Sequence, residues 1–134
     1  MASIPNSELT AKGHALIHKV HTGRARFHFS GFQAGDGQLK GSIEELTELV
    51  NRRIDGKIVH VLEMGTFTQF VCVITNQHLT EGMVLREVGI WADDPDEGSI
   101  LYAYADLSQH PSTIGEFSGR WLHEETMPWW SLLA

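Results

Sequence analysis

Apolar positions along the chain follow two periods. In TAKGHALIHKVHTG, residues 10–23, Ala11, Ala15, Leu16 and Val20 recur at helical spacing. Thr10 is placed to cap this helix and Gly23 to end it in a left-handed turn. SIEELTELVNRR, residues 42–53, predicts a second helix. Ser42 and Glu45 form a capping box, acids crowd the first turn, and Arg52 and Arg53 stand where the helix dipole favours cations. Elsewhere the period is two. ARFHFSGFQAGDGQL alternates Phe27 and Phe29 with polar neighbours and predicts a strand running into a Gly-Asp-Gly turn. KIVHVLEM and TFTQFVCVITN predict one hairpin, turning near Met64 and Gly65; MVLREVGIWA and SILYAYA predict another, closed by DDPDEG. The order implies an α+β fold with an antiparallel β-sheet or sandwich core and two helices of the N-terminal half packed on it.

One strand carries a contradiction. Met83, Leu85, Glu87, Gly89 and Trp91 share one face, and Val84, Arg86, Val88, Ile90 and Ala92 share the other. Both faces are mainly apolar, which predicts a strand covered on both sides, yet two opposite charges sit at its centre. Neighbouring strand residues point apart, so Arg86 and Glu87 each need a separate partner. A buried charge without one is destabilising by several kcal/mol. A nearby backbone turn offering carbonyls to Arg86 or amides to Glu87 would remove that penalty, as would an interface.

At 134 residues, the chain is a single domain's length, enough to bury about two thirds of its unfolded surface. Hydrophobic residues at 42% and charged residues at 20% match an ordinary globular chain rather than a disordered one. A formal net charge of -7, with no basic cluster beyond Arg52-Arg53, argues against nucleic acid and anionic membrane partners. The N-terminus lacks a signal-peptide pattern and no window has the length of a membrane span, so synthesis and assembly in the cytoplasm are expected. Cys72 lies inside an apolar strand and reads as a buried structural thiol.

Of the eight histidines, His14, His18 and His21 share one helix face and form the only grouped candidates for a metal. HALIH lacks the glutamate of the zinc-protease motif, and a solvated helix face is the plainer reading. Asp93, Asp94, Asp96 and Glu97 could hold calcium weakly, but their spacing is that of a hairpin loop and not of an EF-hand. Gly35-Asp36-Gly37 reads as a turn before a phosphate cradle. No nucleophile-elbow or P-loop signature appears, so neither catalysis nor a cofactor is expected.

LTAKGHALIHKVHTG, FHFSGFQAGDGQL, ELTELVNRRI and, most specifically, TNQHLTEGMVLREVGIWADDPDEGSILYAYA follow one another in an order that resembles the N-terminal attachment domain of phage tail-collar fibre proteins. The resemblance spans residues 9–107, which places an attachment domain at 1–107. It implies a virion structural protein, made in the bacterial host cytoplasm, that docks a fibre to baseplate or tail-tip proteins as a homotrimer. It also implies that Asp36, Arg86, Glu87 and Trp91 serve structure and interfaces; Trp129 and Trp130, outside the resemblance, read as interface residues from their apolar character alone. Residues 108–134 depart from the family, which continues into another apolar strand, a collar and a shaft. A one-base shift of the Trp129-Trp130 codons reads as valine, so this tail is expected to be a replaced or frameshifted final strand, or else an apolar surface for a neighbouring subunit. The competing reading is a small metal-binding or hydrolytic enzyme built on the His-rich first helix.

Overall fold

The β-branched and aromatic runs form the strands that alternation predicts, and all but one short piece of them assemble into one antiparallel sheet. The computed structural model describes residues 7–63, 67–75, 82–108, 112–114 and 122–130. In chain order these form β1 (Ser7–Leu9), α1 (Ala11–His21), β2 (Phe29–Gly35), a 3-10 turn (Ile43–Glu45), β3 (Arg52–Glu63), β4 (Phe67–Thr75), β5 (Met83–Leu85), β6 (Glu87–Asp94), β7 (Gly98–Asp106), β8 (Ser112–Ile114) and β9 (Leu122–Trp130). The seven-stranded sheet runs β1-β7-β6-β2-β3-β4-β9, antiparallel throughout, and β5 pairs with β8 in a separate two-stranded ribbon. The fold is α+β at a coarse level: a β half-barrel with one α-helix among the described residues.

Both expected hairpins are present, β3–β4 and β6–β7. The first turn, at Met64 and Gly65, lies outside the described residues. Residues 122–130 supply β9 as an edge strand on β4, with Trp129 opposite Thr68 and Trp130 opposite Phe67 in register.

Helix α1 begins where the sequence places it. The Thr10 hydroxyl accepts from the Gly13 amide at 3.0 Å and donates to the Leu101 carbonyl, so one side chain both caps the helix and ties it to β7. Gly23 beyond the helix has φ +78°, the left-handed conformation expected of it. Leu16 and Ile17 are buried against the inner sheet face, where they join Phe32, Ala34, Val88, Ile90, Phe70 and the Cys72 side chain. Phe29 meets Phe70 and Tyr102 edge-on, at centroid distances of 4.8 and 5.2 Å.

The second expected helix is absent. Ser42 does cap, accepting from the Glu44 amide at 3.2 Å, but only the 3-10 turn forms, and Leu46 is already extended with φ -70° and ψ 138°. Two tertiary demands override the local propensity. Ile43 and Leu49 are both buried on the outer sheet face with Leu101 and Tyr104, and a spacing of six residues does not place two side chains on one helical face. The amides of Val50 and Asn51, which a helix would direct to the carbonyls of Leu46 and Thr47, are instead taken by Glu87. Arg52 and Arg53 accordingly open β3 and do not close a helix.

Ion pairs fix the far end of α1 to the β6–β7 hairpin. Lys19 reaches Asp94 at 2.7 Å and Asp96 at 2.8 Å, and Asp94 also accepts from the amides of Asp96 and Glu97 at 2.8 and 3.2 Å. Burial works against the Asp94 carboxylate, but the Lys19 ammonium and the two amides outweigh it and hold its pKa below the ordinary value. Hydrogen bonds to Asp94 and Asp96 raise the pKa of Lys19.

Two outcomes test this framework. A Cβ at Gly13 would lie 2.1 Å from the Tyr102 carbonyl oxygen, so Gly13→Ala is expected to destabilise by about 2 kcal/mol or more in urea unfolding, although helix propensity alone favours alanine by about 1 kcal/mol. Because Asp94 binds its proton less readily folded than unfolded, its contribution is present above about pH 4 and is lost as pH falls through its depressed native pKa. Asp94→Asn is therefore expected to flatten the acid side of the stability profile and, because Asp94 is the main cause of the raised Lys19 pKa, to weaken the alkaline loss as well; an acid slope equal to that of the parent protein would contradict it.

Candidate functional site

The two charges of the strand 83–91 mark the point where it divides. Met83–Leu85 leaves for the small ribbon, Arg86 lies between, and β6 begins at Glu87. The Arg86 backbone holds the junction, its amide donating to Gly35 at 2.9 Å and its carbonyl accepting from Leu107 at 2.8 Å.

Glu87 is 0% exposed. Its Oε1 accepts from the Val50 amide at 2.8 Å and the Tyr104 hydroxyl at 2.8 Å, and its Oε2 accepts from the amides of Asn51 at 2.7 Å and Gly37 at 3.1 Å. Four donors thus converge on one carboxylate, three of them backbone amides of the loop between β2 and β3. The Gly-Asp-Gly turn is a cradle, but for an internal carboxylate. A Cβ at Gly35 or at Gly37 would stand 2.6 Å from Glu87 Oε2, so both positions exclude any larger side chain. Burial, together with the Glu87 and Asp106 carboxylates, pushes the Tyr104 phenol far above its ordinary pKa, which keeps it a donor.

Asp36 locks the cradle from outside. Its carboxylate takes the Asn51 side-chain amide and the Arg53 guanidinium, each at 2.6 Å, and its amide donates to the Asn51 carbonyl at 3.3 Å. Its own carbonyl receives a long contact from Arg86, at 3.4 Å. Each strand charge thus finds backbone partners of its own: amides for Glu87 and a carbonyl for Arg86. The arrangement brings Asp36, Arg86 and Glu87 into one network. It has no surface from which Glu87 could reach a substrate proton, and both its oxygens are engaged, so Glu87 is not placed for general base work.

The remaining sequence candidates fall elsewhere. Trp91 lies farther along the same sheet face, half-buried, its indole N–H donating to Gln33 Oε1 at 2.8 Å. Trp129 and Trp130 are described only as backbone positions of β9. His14, His18 and His21 are exposed on α1, and among the described residues no three His, Cys, Asp or Glu side chains gather as metal ligands. The acidic loop is spent on α1 and on a His28–Asp93 contact, with Lys12 joined to Glu97 at 2.7 Å. Among the described residues no helix is long and apolar enough to cross a membrane.

Sequence reasoning did not identify Tyr104, Asn51, Val50 or Gly37 as partners of Glu87. Tyr104 was not legible, because strict alternation in SILYAYA would set Leu101 and Tyr104 on opposite faces, and only the register shift between Ile90 and Trp91, with Tyr102 as the extra residue, brings them to one face. The loop amides carry no side-chain signal at all. Comparison with known proteins finds no matching family model, no similar curated protein and no similar solved structure.

Glu87→Gln keeps the volume but turns a donor group toward amides that are themselves donors. It is expected to destabilise by about 2–4 kcal/mol, and Tyr104→Phe, which removes one donor, by about 1–2 kcal/mol. Chemical denaturation measures both; a glutamine variant as stable as the parent would show that donor matching at this carboxylate is unimportant.

Proposed function

We propose that the chain is an attachment domain of a phage-type tail fibre, a virion structural protein that docks to baseplate or tail-tip proteins as a homotrimer and acts by binding. The ordered resemblance over residues 9–107 supports the family reading. The observation that carries the binding mode is the outer part of β3. Val59, Val61 and Leu62 are 47%, 38% and 45% exposed, and 59–62 is exposed throughout.

Val61 and Leu62 are adjacent in a strand and therefore project from opposite faces, while Val59 sits where the pairing with β4 shifts register. A ribbon that is apolar on both faces is poorly served by a two-fold dimer, in which one patch meets its own copy. It suits a closed ring, in which each ribbon is held between two neighbouring surfaces. Each of these side chains is already more than half covered, so completing its burial on assembly stabilises by roughly half the value of a full transfer, about 1 kcal/mol each.

Light scattering at micromolar concentration is expected to return three times the mass of the single chain, and Val61→Lys with Leu62→Lys to return one chain with an unchanged circular dichroism spectrum. A monomeric parent protein would contradict the assembly. Mass spectrometry of purified tail particles tests the location, and absence of the chain from them would contradict the attachment reading.

A further inference from the structure

We propose that the end of the outer sheet face left uncovered by the β2–β3 loop is a binding site for a neutral pyranose sugar, free or as one unit of a longer glycan. This inference rests on the groove alone and is independent of the attachment reading.

The loop carrying Ile43 and Leu49 covers the outer face near Glu87 and stops short of its other end. There an open groove of about 480 Å³ remains, lined by Ser30, Gly31, Gln33, Asp55, Trp91 and Ser99 among others. It crosses β3, β2, β6 and β7, three interstrand spacings or about 14 Å, which is longer than a single sugar ring. Cross-strand register puts Gly31 opposite Trp91 and Gln33 opposite Asp55, so these side chains share one face.

Three features select the ligand. The first is a platform. With its N–H spent on Gln33, Trp91 presents its ring, and Gly31 beside it has no side chain to cover that ring. The electron-rich face of an indole attracts the weakly positive C–H face of a pyranose. The second is a polar wall held in one orientation. Gln33 Nε2 donates to Asp55 Oδ1 at 3.0 Å while Gln33 Oε1 accepts from Trp91, which fixes the amide and leaves it one further hydrogen and one further lone pair. The Ser30 and Ser99 hydroxyls, 3.5 Å apart, add groups that donate or accept as required. Hydroxyl-rich rings need that mixture. The third is charge. Arg52 lies 3.1 Å from the Asp55 carboxylate, so the wall carries no uncompensated charge that would call for an ionic ligand. An enclosed apolar pocket would suit a hydrophobic molecule; this open, polar groove with one aromatic does not.

The test is a titration of the isotopically labelled full chain with maltose, lactose, mannobiose and chitobiose, following the Trp91 indole and Gln33 side-chain resonances. At least one disaccharide is expected to move both saturably, with a Kd on the order of 1 mM, and its monosaccharide to bind more weakly. Trp91→Phe should weaken binding about tenfold. Because Trp91 also packs on neighbouring apolar residues, Gly31→Val is the cleaner variant. A Cβ there meets nothing within 4 Å, so valine fits the strand and fills the groove. It should keep the parent melting temperature and abolish binding. The proposal is overturned if no disaccharide moves these resonances at up to about 50 mM, a concentration far above the expected Kd. It is equally overturned if Gly31→Val binds as the parent does, or if only acetate or arginine methyl ester binds, which would make the groove an ion site.

Discussion

Removing the Glu87 carboxylate from water requires that its oxygens be met by donors, and the protein meets that requirement mainly with backbone amides from a distant loop. That demand reaches far beyond one side chain. It fixes where the chain between β2 and β3 must lie, prevents residues 46–51 from becoming helical, and makes Gly35 and Gly37 indispensable to the approach of backbone to carboxylate. A loop without regular hydrogen bonds of its own would otherwise leave several amides unsatisfied. Here the carboxylate does for the loop what a helix ladder would have done.

The same loop determines what each face of the sheet becomes. Near Glu87 it forms an outer layer, with Leu49 and Ile43 seated on Leu101 and Tyr104. The inner face is closed by α1, anchored through Thr10 at one end and Lys19 at the other. Strand β6 is consequently apolar on both sides, as its sequence implies. Where the loop ends, Trp91 and Gln33 remain half-buried and line an open groove, and where β3 runs beyond the covered region its valines and leucine are exposed. The groove and the apolar ribbon are thus two consequences of one covering layer that is smaller than the sheet it covers.

Much of the framework was legible in the sequence because it is written in side-chain period and cap chemistry. Thr10, Gly23, the two hairpins and the burial of β6 on both faces follow from local rules, as does the deduction that Arg86 and Glu87 need separate partners. The second helix was misread because its signals are equally local. Ser42 and the acidic first turn are consistent with a helix start, and one turn does form, but the needs of Glu87 and Leu49 arise from residues distant in sequence. The Trp91–Gln33–Asp55 chain was invisible for a related reason. It depends on cross-strand register, which only the assembled sheet defines.

Glu87 holds the β2–β3 loop in place through the Gly37, Val50 and Asn51 amides. Amide hydrogen exchange at Gly37, Val50 and Asn51 tests it most directly, since a loop amide lacking a regular partner exchanges quickly unless something else protects it. Protection at these three amides matching that of the β6–β7 ladder is the expected result. Exchange as fast as in an open loop, with the ladder itself protected, would contradict the account.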